Sequence, residues 1–510
     1  MTDIVIGSGP SGVAVASALL ARGRSVVMID GGRVLETSRT QLVERMAATS
    51  PELWTRADRA SWTEPQYHTP PGQVRRYGSD FAMEPRGATL SASENGFGLR
   101  SSLAVGGLSN LWGSAILPYR SADLVGWPIS ASDLAPHYAA LARFLPFAGE
   151  ADALDGLFPV APQLSQSRLT ASPQGEVLLQ RLAAVHGELD EIGLTAGKAR
   201  QAVASGCRQC GLCLHGCPWG LIWSARSVIP TLQAFPTFSY RNGSIATIFE
   251  ESGDAVRLTL TDGAQIEGAR LFIAAGVLET TRILLASQPI RGKVTLKDSH
   301  HAFLPTLHRW SSPRRPDHAP YHTLPQAFVE LDDPAISPYL VHSQLYTWNE
   351  FFERDLIASY GKKLPGSAPL WRALARRLIV AQIFLHSDHS AKVELHLEPN
   401  GHLATKVIEN PETDAVLRRA GTAIGRGLRA AGLHPLAFAL RSNPVGSSFH
   451  AGSTVPMAKD PDEAQADILG RPRGLSRVHI VDASVLPSIP ATTITLSVMA
   501  NAHRIGTLAP

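Results

Sequence analysis

The sequence predicts an α/β protein: a doubly wound, Rossmann-like parallel sheet with a second domain beside it. Three observations carry this. The chain opens on a strand, a glycine-rich turn, a helix and a second strand ending in an acid. A strand closing on glycine and opening a helix recurs at 269–285, and a third strand, again ending in an acid, precedes the last helix. Strands alternating with helices are the pattern of a parallel sheet covered on both faces. At 510 residues the chain exceeds one ordinary core, which points to two domains.

The first unit is complete. Asp3-Ile4-Val5-Ile6 reads as a buried strand, Gly7-Ser8-Gly9-Pro10-Ser11-Gly12 as the turn, Val13 to Arg22 as the helix, and Ser25 to Ile29 as the second strand, ending at Asp30. Gly7 permits the tight turn, Gly9 lets backbone N–H groups approach a pyrophosphate, and Gly12 allows the helix to pack on the strand. The helix N-terminus then faces the anion. Asp30 is placed to accept hydrogen bonds from ribose hydroxyls, which disfavours a 2′-phosphate and hence NADP. This unit alone does not choose between NAD and FAD.

Composition excludes several classes. A formal charge of +3 with scattered Lys and Arg gives no nucleic-acid footprint. The apolar stretch Ile4 to Leu20 is broken by Gly7, Gly9, Pro10 and Gly12 and lacks a basic flank, so it reads as part of the fold and not as a leader. No other stretch offers the roughly 20 apolar residues of a membrane span. The expectation is a cytoplasmic protein or one peripheral at a membrane, with the basic helix around Trp371 to Arg377 as the surface contact in the second case.

Three more segments matter. Leu103 to Gly113 carries Gly106-Gly107-Leu108-Ser109-Asn110-Leu111-Trp112, a loop whose backbone can lie against a flat ring or a phosphate. Leu271-Phe272-Ile273-Ala274-Ala275-Gly276 is a buried strand closing on glycine before the helix that Glu279-Thr280-Thr281-Arg282 opens. The C-terminal block holds His450-Ala451-Gly452-Ser453-Thr454, then Val478 to Pro487 with Asp482-Ala483, then Ala491 to Leu496 leading into the helix Ser497 to Ile505.

In this order and at these separations, the segments resemble the glucose-methanol-choline (GMC) oxidoreductase family. The resemblance covers both ends of the chain and 269–287, and is poor through 300–440. It implies a discontinuous FAD-binding domain (1–125, 200–295 and 441–510, with a cysteine-rich insert at 205–220). It also implies an α+β substrate domain on an antiparallel sheet (296–440) and a helical connection or cap (126–199). The hairpin signal Val393 to Val407, turning at Pro399-Asn400-Gly401, is assigned to that antiparallel sheet. Residue by residue, Gly7, Gly9, Pro10, Ser11, Gly12 and Asp30 would hold the ADP half of FAD. Gly106, Gly107, Ser109 and Asn110 would lie near the flavin, Ala275 and Gly276 beside the cofactor, and Asp482 and Ala483 at the ribityl chain and phosphates. Leu111 stands where pyranose oxidases, which this loop resembles, carry the histidine that binds FAD covalently, so that bond is not available here.

The implied chemistry is hydride transfer from a CH–OH carbon to flavin N5, with a sugar, polyol or other alcohol as substrate and a protein or quinone as external acceptor. Removing the hydroxyl proton suits a neutral imidazole, and the family's base corresponds to His450. The family's second His or Asn corresponds to Thr493, which can hydrogen-bond substrate or cofactor but carries no proton at neutral pH. This departure keeps a flavin-dependent lyase or decarboxylase open, and a non-catalytic electron-transfer flavoprotein is a third reading. Tyr346, Trp348, Phe351 and Phe352 are candidates to line a sugar pocket or to be ordinary core.

All four cysteines fall in one run, Cys207-x2-Cys210-x2-Cys213-x3-Cys217-Pro218, the spacing of bacterial ferredoxins. Three readings are open: an iron–sulfur cluster ([3Fe–4S] on three thiols or [4Fe–4S] on four) that passes electrons outward, a zinc site, or a vestigial cysteine-rich loop.

Overall fold

The structure, a computed structural model, describes residues 2–63, 76–83, 90, 97–159, 166–310, 319–361 and 364–510. In chain order, the elements that build the site begin with β1 (Asp3–Ile6), α1 (Pro10–Ala21), β2 (Val26–Asp30), α2 (Pro173–Ala184), β3 (Leu194–Lys198), β4 (Phe238–Asn242), β5 (Arg270–Ile273) and α3 (Val277–Ser287). There follow β6 (Lys293–Asp298), β7 (His301–His308), β8 (Ala327–Leu331), β9 (Val341–Tyr346), β10 (Leu378–Phe384), β11 (Lys392–Leu397) and β12 (Leu403–Ile408). The last are α4 (Thr413–Ala430), β13 (Leu433–Pro435), β14 (Ala451–Gly452), β15 (Val478–Ile480) and α5 (Thr495–Leu508).

The parallel sheet runs β15-β5-β1-β2-β4. β1 lies at its centre, with Ile4 opposite Val27 on one side and Leu271 on the other. Its strands are apolar runs because both faces are covered. The helices α1 and α5 pack closely against one another. Gly506 makes this approach possible, since a Cβ there would lie 2.9 Å from the Val15 side chain and 3.0 Å from that of Ala18.

A buried ion cluster closes this layer. Arg270 donates to both oxygens of Asp3 (Nε 3.0 Å, Nη2 2.8 Å), and Arg24 does the same at 3.0 and 3.1 Å. Arg22 and Arg270 also donate to the carbonyl of Ala509, holding the end of α5 against β1 and β5. Burial opposes ionisation of Asp3, but the hydrogen bonds and charges of Arg270 and Arg24 outweigh it and hold the carboxyl below its ordinary range.

The second sheet is antiparallel, ordered β13-β7-β10-β9-β8-β3, with Arg441–Ser442 also pairing on β7. Side chains alternate between its faces. On one face Leu304, Val329, Leu331, Leu345, Ala381 and Ile383 are buried in a cluster with Leu178 and Leu182 of α2 and Val416, Leu417, Ile424 and Leu428 of α4. The register therefore puts His301, Glu330, His342, Gln344, Tyr346 and Phe384 on the other face. That face is polar and aromatic.

Two expectations need correction. The stretch 126–199 is not only a helical connection, because its last strand, β3, pairs with β8 and completes the antiparallel sheet. The hairpin 393–407 forms as β11 and β12, with Val393 opposite Val407. It lies, however, in a separate four-stranded sheet, β12-β11-β6-β14. The reason is the burial of its inward residues: Val294, Leu296, Val393, Leu395 and Leu403 join the core of the parallel sheet, not that of the larger antiparallel one. Among the described residues, no helix is long and apolar enough to cross a membrane.

Asp3→Asn should destabilise the protein by about 3–5 kcal/mol, because it leaves two guanidinium groups without their counter-charge. The check is chemical unfolding at neutral pH. The native-state pKa of Asp3 is depressed, so its contribution is complete above its unfolded value of about 3.9 and fades as pH falls through the native value. The difference between variant and wild type should therefore shrink in acid.

Candidate active site

The glycine turn after β1 is shaped by sterics. Gly7 adopts φ +94, and a Cβ there would strike the carbonyl oxygen of Ala274 on the neighbouring strand. A Cβ on Gly12 would collide with the carbonyl oxygen of Gly7, so α1 sits directly on the turn. Gly9 differs, because nothing lies within 4 Å of its Cβ position. No side chain caps α1, so its first amides are left to the cleft beyond, as anion binding requires.

That cleft, about 990 Å³ with its open mouth included, is lined by the turn 7–11, Asp30, 99–102, Gly107, 274–278, Phe449, Ala451, Asp482, Ala483, Ile494 and Thr495. Of the residues singled out in the sequence, it brings together Gly7, Gly9, Pro10, Ser11, Asp30, Gly107, Ala275, Gly276, Asp482 and Ala483. The open face at Gly9, the uncapped helix and the acid at the end of β2 fit a dinucleotide.

Gly12, Gly106, Ser109, Asn110 and Thr493 stand behind the cleft wall. Gly106 takes φ +86, and a Cβ there would lie 2.7 Å from the amide nitrogen of Arg226. Ser109 Oγ donates to Gly106 O and accepts from Ala225 N. Asn110 Nδ2 donates to Val105 O and Gly107 O, each at 2.8 Å, and Oδ1 accepts from Arg76 Nη1 at 2.6 Å. The polar residues of this loop thus fix its shape, and Gly107 and Leu108 face the cleft.

Ser8 was missed. Its hydroxyl donates to Asp30 Oδ2 (2.6 Å) and accepts from Gly106 N (2.9 Å), while its own N–H donates to the same carboxylate oxygen (2.9 Å). Asp30 Oδ1 accepts from Gly32 N and Tyr240 OH. Oδ2 therefore anchors the turn, Oδ1 ties the end of β2 to Tyr240 of β4, and the residue lines the cleft. The only signal in the sequence was that Ser8 lies inside the glycine motif. Asp482 works similarly at the other wall, accepting from Gly276 N, Thr280 Oγ1 and Ser484 N. Burial raises its pKa against these hydrogen bonds.

His450 lies between Phe449 and Ala451, both of which line the cleft. Two non-glycine residues near it adopt left-handed backbone, Phe449 at φ +60 and Ser453 at φ +66, the kind of strain that clusters at functional sites. Its backbone N–H donates to Ser448 Oγ, and Ser448 donates to Asp298 Oδ1 (2.9 Å). Asp298 Oδ2 accepts from Gly446 N (2.8 Å). Asp298 is buried, which lifts its pKa to about 6. The His450 ring stacks on Phe384, with centroids 5.1 Å apart. Its Nδ1 is buried and finds no partner among the described residues. Burial, with His342 nearby, lowers the imidazole pKa to about 3, so the ring is neutral at working pH. Thr493 is buried, and its hydroxyl oxygen accepts from Leu117 N at 2.9 Å.

The four cysteines are unbridged and partly buried, and all four border one small apolar cavity with Trp219, Leu221, Ile222 and Leu324. Burial pushes the thiols of Cys207 and Cys210 up, the latter to about 12, and that of Cys213 higher still. Among the described residues, no three His, Cys, Asp or Glu side chains come together as a group that could hold a metal ion.

Gly12→Ala is expected to yield protein without bound dinucleotide, since its Cβ and the Gly7 carbonyl cannot both keep their places. The ratio of cofactor to protein absorbance after purification measures this.

Residues 404–502 match the family model described as GMC oxidoreductase. The fold of the whole chain is similar to the crystal structure of pyridoxine 4-oxidase from Mesorbium loti, with a TM-score of 0.59 and 14% identity over 99% of this chain and 98% of that one. At that identity the likeness is one of fold. No curated protein matches the chain by sequence. The matched segment carries His450, Asp482, Ala483 and Thr493, of which Asp482 and Ala483 line the cleft. By its segment 404–502 the chain is similar to the GMC oxidoreductases, and the likeness of fold extends over its whole length.

Proposed function

We propose that the chain is an FAD-dependent dehydrogenase that oxidises a CH–OH group of a sugar, polyol or other alcohol. The observation that carries this reading is the position of His450 beside the cleft, part-buried with an Nδ1 unpartnered among the described residues, on a strained segment anchored by Asp298. When bound, FAD supplies the hydride acceptor. The turn 7–12 and α1 would hold its pyrophosphate, Asp30 its ribose, and the 106–110 loop with Asp482 and Ala483 its flavin half. Phe384 keeps one face of the imidazole dry, and a neutral ring nitrogen can take the substrate hydroxyl proton.

For the cysteine run, the convergence of four thiols on one cavity supports the iron–sulfur reading over a vestigial loop. Cys207, Cys210, Cys213 and Cys217 would hold such a cluster, which would supply one-electron transfer to an external protein or quinone acceptor. Buried thiols with raised pKa need a cation to become thiolates. Four unbridged thiols fit a reducing compartment such as the cytoplasm.

His450→Ala should slow flavin reduction by about 10²- to 10⁴-fold, measured by anaerobic stopped-flow absorbance with a panel of sugars, alditols and alcohols. An unchanged rate would remove His450 as the base. With the imidazole neutral throughout, pH acts through Asp298, whose native pKa is raised to about 6. As pH falls through that value the carboxylate gains a proton and loses an acceptor site for Gly446 N or Ser448 Oγ. The reduction rate should drop there, and Asp298→Asn should show a low rate without that acid limb. Iron and acid-labile sulfide in anaerobically purified protein, lost together in Cys213→Ser, are the expected signature of the cluster. Their absence from fresh protein would sink it.

A further inference from the structure

The inner face of the antiparallel sheet carries an array that the proposed mechanism has not used. Glu330 and His342 are fully buried, and Gln344 is 4% exposed. They sit on the face opposite the apolar one, so nothing in the packing of the sheet against α2 and α4 calls for them. A buried carboxylate and imidazole cost stability unless each is paired.

The pairing fixes every donor in turn. The carboxylate of Glu330 can only accept, so the 2.7 Å contact from His342 Nδ1 to its Oε1 places the imidazole proton on Nδ1. His342 Nε2 is then an acceptor and takes a proton of Gln344 Nε2 at 3.1 Å. That orientation leaves Gln344 Oε1 to accept the phenol proton of Tyr346 at 2.7 Å. The Tyr346 proton is committed inward, and its oxygen lone pairs remain for something else.

Tyr346, unlike the other three, is only partly buried. Its hydroxyl lies 3.9 Å from where a Cβ on Gly113 would be, at the end of the loop whose Gly107 faces the cleft. The opposite end of the array approaches His450 through Phe384, whose ring centroid is 5.8 Å from that of His342 and 5.1 Å from that of His450. The array therefore runs along the sheet face between the proposed base and the cofactor loop.

We propose that Tyr346 contacts the substrate directly: its phenol oxygen, aimed by the Glu330–His342–Gln344 array, accepts a hydrogen bond from a second hydroxyl of a polyhydroxylated substrate. Glu330, His342 and Gln344 are positioning residues. The assignment rests on the CH–OH reading above and adds a recognition element that favours sugars and alditols over monohydric alcohols. It also places a second polar contact on a different element from Thr493, whose hydroxyl oxygen already accepts from Leu117.

The test is anaerobic flavin reduction by wild type, Tyr346→Phe and Gln344→Met, each with D-glucose, D-sorbitol, other aldoses and alditols, and 1-butanol. For the best polyhydroxylated probe, Tyr346→Phe should raise KM about tenfold, a loss of about 1.4 kcal/mol, with kcat within about twofold. Gln344→Met, which frees the phenol to rotate, should raise KM by a smaller factor. Reduction by 1-butanol and the pH profile should not move in either variant. Identical parameters for wild type and Tyr346→Phe would overturn the assignment alone, as would equal losses on 1-butanol and the polyol. Should Tyr346→Phe lose its flavin, Gln344→Met decides on the same criteria. A wild-type flavin that no probe reduces overturns the CH–OH reading and this assignment with it.

Discussion

The hydrogen bonds around Ser8 and Asp30 are the constraint on which the rest of the cleft depends. One hydroxyl and one carboxylate join the turn after β1, the end of β2, Tyr240 of β4 and the amide of Gly106. Three of these lie on the parallel sheet, and the fourth belongs to a loop about a hundred residues away. Because protein donors engage both carboxylate oxygens, the turn is held in shape before any ligand arrives. Its open side at Gly9 is then geometry that was already present and not induced by binding. Preorganisation of this sort lowers the cost of ordering on binding.

The same economy appears at His450. The ring itself makes few polar contacts, and its position is set through backbone and neighbours: Ser448 and Asp298 beneath, Phe384 against its face, and left-handed residues nearby. An imidazole held by packing keeps its nitrogens free, whereas one held by its own hydrogen bonds would have spent them. The buried Asp298 anchors the loop from the strand β6, which pairs with β14 just after His450. The small four-stranded sheet thus ties His450 to the core of the parallel sheet.

The parts of this architecture legible in the sequence were those written in local chemistry. The turn 7–12 shows its glycines because two of them meet backbone atoms a side chain would strike, and Asp30 and Asp482 show as acids at strand ends. The antiparallel sheet was harder. β3 lies about 130 residues before its partner β8 and carries no turn signal linking the two. The hairpin 393–407 announced itself by Asn400-Gly401, but a hairpin does not say which sheet it joins, and burial against the parallel layer decided that. Ser109 and Asn110 look like ligand residues by type, yet their side chains close the loop on itself. Glu330, His342, Gln344 and Tyr346 alternate along two strands, and only register brings them into line. Sequence spacing predicts which residues share a face, not which face packs on the helices and which stays polar.

The contact between α1 and α5 has a consequence for how the protein is made. β1 needs β5 beside it, and α1 rests on a helix that ends at Leu508. Arg22 bonds to the carbonyl of Ala509. The opening βαβ unit therefore waits through about 480 residues of synthesis for its last partner. At about 5–20 residues per second, the wait is roughly 25 to 100 s. During that interval the apolar strands Asp3–Ile6 and Val26–Asp30 lack part of their cover, so this βαβ unit needs shielding until α5 is made.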